Sequence, residues 1–434
     1  MHKDIPSFAI NRRSLLLGAA STAAMIALGG ATVRAAGGPV RFGIFGNAEK
    51  LAIRGRSVAH FAELHPEIPV KYEGVPSDAW PDKIAAMVAG GNAPDVITLG
   101  SEDFEQYVTR GALQALDEFA PKTLRTDLFD EPVLNLGRSG GKLYGIPIAV
   151  SIQGLGYNQS ALERLKIDPP PASWTLDQFA EYCAEIHKAD NKLYGSHDGG
   201  ARLENFQMFL VAQGKELYSG DQLAVTKDEV AYWLDYWEKM RKSGGAVPPD
   251  LQAQFSGTEW PNSPLVRGTA VFATMASQDL SGGYQALTKD TLALTTPPSA
   301  TADSGPGCFP RPTSSLTLNA KSQSKEAAVK LMDWFVSDPE SAKILGLISG
   351  PPASRPALEA VIALPDIKPV DQKVLKYSQA ALAAAKPAPR NHRAARAMGD
   401  LMRRVNENVG FGSYGVQDAA DEFVSQGNAL MKRA

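Results

Sequence analysis

Few side chains in this sequence have types and spacing suited to covalent or metal chemistry. The two cysteines, Cys183 and Cys308, allow at most one disulfide and cannot build a four-cysteine zinc site. Six histidines are present, and one pair resembles a zinc-protease helix: His60-Phe61-Ala62-Glu63-Leu64-His65. Its imidazoles lie five residues apart, whereas an i, i+4 spacing is needed to bring both to one helix face. No Gly-x-x-x-x-Gly-Lys-Ser/Thr loop is present to cradle phosphates. Phe411-Gly412-Ser413-Tyr414-Gly415 has Phe where a nucleophile elbow requires Gly. Carboxylates remain, and the acid pair of a glycosidase carries no local signature. The residues therefore name no catalytic group, no metal and no cofactor. A binding reading and a carbohydrate-active enzyme both stay open.

Charge and length narrow the choice. Lys and Arg number 44 against 47 Asp and Glu, a net charge of −3. That balance lacks the positive field a nucleic-acid partner requires. A chain of 434 residues is too long for one compact core, so two or three domains are expected. With 44% hydrophobic and 21% charged residues, the composition is that of an ordinary soluble globular protein.

The N-terminus reads as an address. Arg12-Arg13 precede a run from Ser14 to Val33 of apolar or small residues, weakly hydrophobic for a membrane span. Val33-Arg34-Ala35 fits a signal-peptidase site with cleavage after Ala35. The arrangement resembles a twin-arginine export signal, and no cysteine lies near the cleavage point to carry a lipid anchor. Removal of residues 1–35 takes the net charge from −3 to −6. An exported, periplasmic chain is expected.

The elements that must position any site follow from periodicity. Pro39 to Phe45 alternates as a strand. Asn47 can cap the helix after it, which Pro66 stops. Pro69 to Tyr72 is a second strand, Trp80 to Ala89 a second helix, and Pro94 to Leu99 a short buried strand. Strand–helix alternation of this kind predicts parallel βαβ units and an α/β lobe. Thr175-Leu176-Asp177-Gln178, Thr226-Lys227-Asp228-Glu229 and Ser337-Asp338-Pro339-Glu340 read as capping boxes, with Trp174 and Phe179 at the spacing of a hydrophobic staple. Thr295 to Pro312, rich in Pro, Gly, Ser and Thr, reads as a long functional loop. From Asp371 the chain is helical again, broken at Lys386–Pro389 and Gly410–Gly415.

Five stretches in order carry a family resemblance. They are Ala89-Gly90-Gly91-Asn92-Ala93-Pro94-Asp95-Val96; Leu143 to Val150 running to Gly156-Tyr157-Asn158; Pro169 to Thr175; Val266-Arg267-Gly268-Thr269-Ala270-Val271-Phe272; and Ser324 to Ala328 leading to Ser337–Glu340. Together they span almost the whole mature chain, which resembles the extracellular solute-binding proteins of ATP-driven (ABC) importers, in the sugar-type branch similar to maltose-binding protein. The resemblance implies an α/β, two-lobed periplasmic binding protein fold with three interlobe crossovers and a central ligand cleft. The crossovers would fall near Val150–Gln153, Ala273–Ala276 and Thr313–Asn319. Residues 36–150 and 276–315 would then form the N-terminal lobe, and 151–275 and 316–434 the C-terminal lobe. Cys183 and Cys308 would lie in different lobes as free thiols.

A sugar site needs carboxylates and amides for hydroxyls and rings for apolar faces. In the family such groups sit at strand ends and crossovers. Asn47 and Glu49 follow the first strand, with helix capping the alternative role of Asn47. Ser101 and Glu102 follow the Leu99 strand, where the family often adds an aromatic that this chain lacks. Ser151 and Gln153 lie at the first crossover. Asp198, Glu204 and Asn205 occupy a polar loop. Trp260 is either core or a stacking platform. Ser277 and Gln278 follow the second crossover, Gln278 standing where relatives commonly have tryptophan, and Tyr284 is the nearest substitute ring. Phe309 and Arg311 lie in the long loop. Arg355 can meet a ligand anion or serve in a salt bridge. The resemblance implies a monomer that captures a sugar or sugar derivative by cleft closure and hands it to a membrane permease. The alternatives are an enzyme using cleft carboxylates, or the same scaffold binding a polyamine or iron.

Overall fold

The computed structural model describes residues 38–255, 260–389 and 392–433; the expected export signal lies outside them. The first lobe is built on a six-stranded sheet. Its order is Val70–Val75, Val40–Phe45, Val96–Leu99, Ser315–Asn319 and Leu113–Gln114, with Gly145–Pro147 also paired to Ser315–Asn319. The first three strands are parallel and Ser315–Asn319 runs antiparallel to them. Side chains alternate across the sheet, so Val96 joins the core under Ala48–Leu64 and Lys325–Ser337 while Ile97 joins the one under Trp80–Ala89 and Ser101–Thr109. Asn47 caps Ala48–Leu64 by accepting from the Lys50 N–H at 2.9 Å.

The second lobe has a four-stranded sheet, ordered Tyr194–Ser196, Ala270–Ala276, Gln153–Asn158, Leu292–Thr295. Phe272, fully buried, packs edge-on against Trp174, Phe179 and Tyr182. The Thr175 and Thr226 capping boxes both form, and the Trp174–Phe179 rings meet at 5.1 Å. The Ser337 box does not. Ser337 is the buried last residue of its own helix, and Asp338 caps the next one through the Glu340 N–H.

The chain passes between lobes at 148–152, 310–314 and 363–368. At the first two passages Val150–Ser151 and Arg311–Pro312 pair antiparallel, a two-stranded hinge under the cleft. This corrects the expected lobe boundaries. After Ala270–Ala276 the chain does not cross. It turns through Asp279–Gly282 and returns as Leu292–Thr295, paired to Gln153–Asn158. The crossing comes after the long loop, because the alternating Ser315-Leu-Thr-Leu-Asn319 buries Leu316 and Leu318 in the first sheet. Lys325–Ser337, Pro339–Leu345 and Arg355–Ile362 then pack on the first lobe, and Pro369–Ala383 returns to the second. Cys308 therefore belongs to the second lobe, its thiol against Met208 and the Gln153 carbonyl. Both cysteines are free and buried, and burial pushes both thiols up in pKa. No described helix is long and apolar enough to cross a membrane.

Candidate functional site

A cleft of about 900 Å³ opens between the lobes. Its first-lobe wall is the start of Ser101–Thr109 and the Arg138–Gly141 turn; its second-lobe wall is the segment 197–207 with one face of Ala395–Gly410; its base is Phe309–Pro312. Each wall is set by local chemistry. Gly100, in extended backbone, lets the strand Val96–Leu99 turn directly into its helix, so Ser101 and Glu102 stand at the cleft edge. Arg202 is extended and precedes Leu203–Ala212, putting Glu204 in the first turn of that helix. The long loop is seated by Gly307: its φ is +64°, and a Cβ there would lie 2.0 Å from the Met208 carbonyl oxygen. That close approach delivers Phe309 and Arg311 to the cleft base.

Arg311 reaches both walls. Its Nη2 donates to Ser101 Oγ at 3.1 Å, and its Nη1 lies 3.3 Å from Glu204 Oε1. Packing around the Glu204 carboxyl would raise its pKa, but Arg311, and after it Arg202, more than offset this and hold it down to about 2. Glu204 is thus an ionised hydrogen-bond acceptor. On the outer rim Arg396, from the second lobe, donates from Nε and Nη2 to both oxygens of Asp103 in the first lobe, at 2.8 and 2.6 Å, with Glu102 3.5 Å away. At the opposite side Lys50 of the first lobe stands 5.4 Å from the Trp260 ring of the second.

Behind the second-lobe wall sits a buried polar network. Asp198 accepts from the Gly200 N–H at 2.9 Å, from Arg241 Nη1 at 2.5 Å and from Asn406 Nδ2 at 2.9 Å. Its carboxylate holds the turn that precedes Arg202 and serves structure. His197, 1% exposed, accepts the Thr274 backbone N–H on Nε2 at 3.0 Å, so the neutral ring carries its proton on Nδ1. Burial, assisted by the charge of Arg202, lowers its pKa to about 3. Between pH 6.5 and that value the unfolded chain takes up a proton that the folded chain refuses, so stability falls as pH falls, by about 1.4 kcal/mol per unit. His197→Asn is expected to remove this dependence. Urea unfolding at pH 7 and pH 4.5 should show wild type losing roughly 2–3 kcal/mol more than the variant; equal losses would contradict the neutral, buried assignment.

Of the residues expected at the site, the cleft gathers Ser101, Glu102, Asp198, Glu204, Phe309 and Arg311. The others stand elsewhere. Asn47 is a helix cap, and Glu49 is exposed in the turn after it. Ser151 is in the hinge strand and Gln153 in the second sheet, both buried. The Asn205 amide donates to the Gly199 carbonyl and Thr274 Oγ1 behind the wall. Ser277 accepts from Ser378 within the second lobe. Gln278 packs against Gly350 of the first lobe. Trp260 packs closely against Gly283, 5.7 Å from the buried ring of Tyr284, so both are packing residues away from the main cleft. Arg355 pairs with Asp130 at 2.8 Å on the first-lobe surface. Arg202, Arg138, Arg396, Gln207 and Phe255 are among the lining residues that sequence reasoning missed. Nothing local marks them, although Arg202 precedes an acid-led helix in a loop already singled out. His60 and His65 pair separately with Glu63 and Glu67, and no metal-holding group of His, Cys, Asp or Glu exists among the described residues.

The family of bacterial extracellular solute-binding proteins matches residues 48–342. A Brucella abortus (strain 2308) relative, named as a binding protein, is 27% identical over 164 residues, 37% of this chain and 39% of its own length. The match thus spans well under half of that curated relative. Among solved structures, a periplasmic solute-binding protein of Pectobacterium atrosepticum superimposes with a TM-score of 0.81 at 19% identity, covering 91% of this chain and 99% of that one. A periplasmic oligogalacturonide-binding protein of Yersinia enterocolitica, in complex with saturated digalacturonic acid, gives 0.79 at 18% identity over 91% and 99%. At these identities the likeness is one of fold: two lobes and mixed helix and strand content.

Proposed function

We propose, for a chain that belongs to the bacterial extracellular solute-binding proteins, that it is the periplasmic substrate-binding component of an ABC importer for a sugar or sugar derivative. It would bind as a monomer, without turnover, and deliver its ligand to a membrane permease. Export through the Arg12-Arg13 signal, with cleavage after Ala35, belongs to the same proposal. The observation that carries it is the cleft itself: about 900 Å³ between two lobes, with Arg311 on the hinge bonded to Ser101 on one wall and Glu204 on the other. A saccharide would meet acceptors in Glu102 and Glu204, donors in Ser101, Gln207 and Arg311, and apolar faces on Phe255 and Phe309. The fold of a neighbour solved with digalacturonic acid is consistent with that ligand class. The ionised state of Glu204 suits hydrogen bonding to hydroxyls; a glycosidase acid needs a raised pKa. Closure gains its free energy from ligand contacts that span both lobes.

A thermal-shift screen of the mature chain against mono- and oligosaccharides tests the reading. A ligand that binds only the folded form at 100 times its Kd stabilises by about 2.7 kcal/mol, a clear rise in melting temperature. The ligand should be recovered intact after long incubation. A cleaved saccharide, or stabilisation by polyamines or iron alone, would contradict it.

A further inference from the structure

One cation at the centre of the cleft has no bonded partner among the described residues. Arg202 lines the cleft, yet its guanidinium makes no hydrogen bond or ion pair with any described residue. Its field reaches two carboxylates, Glu204 and Asp279. Glu204 already faces Arg311 at 3.3 Å, and Asp279 already faces Lys50, whose ammonium borders Trp260. Arg311 and Lys50 are thus the principal counter-charges of Glu204 and Asp279, and Arg202 is left without a bonded acceptor among the described residues. The other cleft arginines are engaged: Arg138 with Asp117 and Glu131, Arg396 with Asp103, and Arg403 with Asp400 and Glu407. A guanidinium stays charged at any pH a protein tolerates, and its planar donor fork fits a carboxylate in bidentate fashion.

We infer that the ligand is an acidic saccharide whose carboxylate docks on Arg202, with Arg311 beside it. The inference rests on the saccharide reading above and narrows it. A neutral sugar would leave the Arg202 charge without a counter-ion in a closing cleft, where an unpaired charge is costly. A uronate supplies that counter-ion, and its hydroxyls are left for Glu102, Glu204 and Gln207.

The test is calorimetric titration of the mature chain with sodium D-galacturonate, D-glucuronate and digalacturonate, set against galactose, glucose and galactose 1-phosphate. Uronates are expected to bind more tightly than their neutral counterparts, more weakly as salt rises, and more tightly than the sugar phosphate. Arg202→Gln is expected to weaken uronate binding about 10- to 100-fold, and Arg202→Lys to retain part of it. The unliganded melting temperatures of both variants report their folding. Binding of neutral sugars only would overturn this inference and leave the sugar-binding reading standing. Preference for the phosphate would overturn the carboxylate assignment, as would wild-type uronate affinity in Arg202→Gln. Failure of every saccharide would overturn both readings.

Discussion

Asp198→Ala is expected to destabilise the second lobe by about 3 kcal/mol. The carboxylate is 3% exposed and accepts three hydrogen bonds from separate parts of the chain: the Gly200 N–H, Arg241 and Asn406. Removing one partner of a buried pair leaves the other charge uncompensated, at a cost of about 3–5 kcal/mol. The low end applies because Arg241 keeps Glu238, at 2.9 Å from its Nη2. The turn would also loosen, since Trp237 packs directly on Gly199 and Gly200 and the Trp233 indole donates to the Gly200 carbonyl at 3.1 Å. Urea unfolding followed by tryptophan fluorescence should show the midpoint fall. A loss below about 1 kcal/mol would mean that the network contributes no more than an exposed ion pair.

Arg311→Ala is expected to weaken saccharide binding by roughly 30- to 150-fold, or about 2–3 kcal/mol. The side chain links the two walls, through Ser101 on one side and Glu204 on the other. Its loss removes a donor and leaves the Glu204 carboxylate, held ionised to about pH 2 chiefly against burial by this arginine, with Arg202 alone as counter-charge. The pair is about a quarter to a third exposed, which keeps the cost below that of a fully buried pair. Folding should survive, because Arg311 enters the hinge through its backbone pairing with Ser151. Calorimetric titration of the variant beside wild type reads the loss; unchanged affinity would remove Arg311 from the site.

The first lobe was legible because its elements are local. Asn47 as a cap, Trp80–Ala89 as a helix and the βαβ order follow from near neighbours in sequence, and the structure has them in those places. The Thr175 and Thr226 boxes were legible for the same reason. The lobe boundaries were not, because they depend on which sheet a strand joins. Leu292–Thr295 and Ser315–Asn319 are both short and alternating, and long-range pairing alone sends the first to Gln153–Asn158 and the second to Val96–Leu99. The site followed the same rule. Ser101, Glu102 and Glu204 lie where a strand or loop enters a helix, a pattern visible in sequence. Arg202, Arg138 and Arg396 become cleft residues only when two lobes meet, and Arg396 arrives from a helix near the C-terminus to bond Asp103. Trp260 and Tyr284 were candidates for a stacking platform by ring type; Gly283 beneath the indole turns them instead into a packed pair.

A crystal structure of the mature chain grown with a saccharide that raises its melting temperature tests the central claim most directly. The account predicts one intact ligand enclosed between the lobes, contacting Ser101 or Glu102 from the first lobe, Glu204 from the second and Arg311 at the hinge. A ligand bound to one lobe only, seated outside the cleft on the Trp260 side, or cleaved between two carboxylates would contradict it.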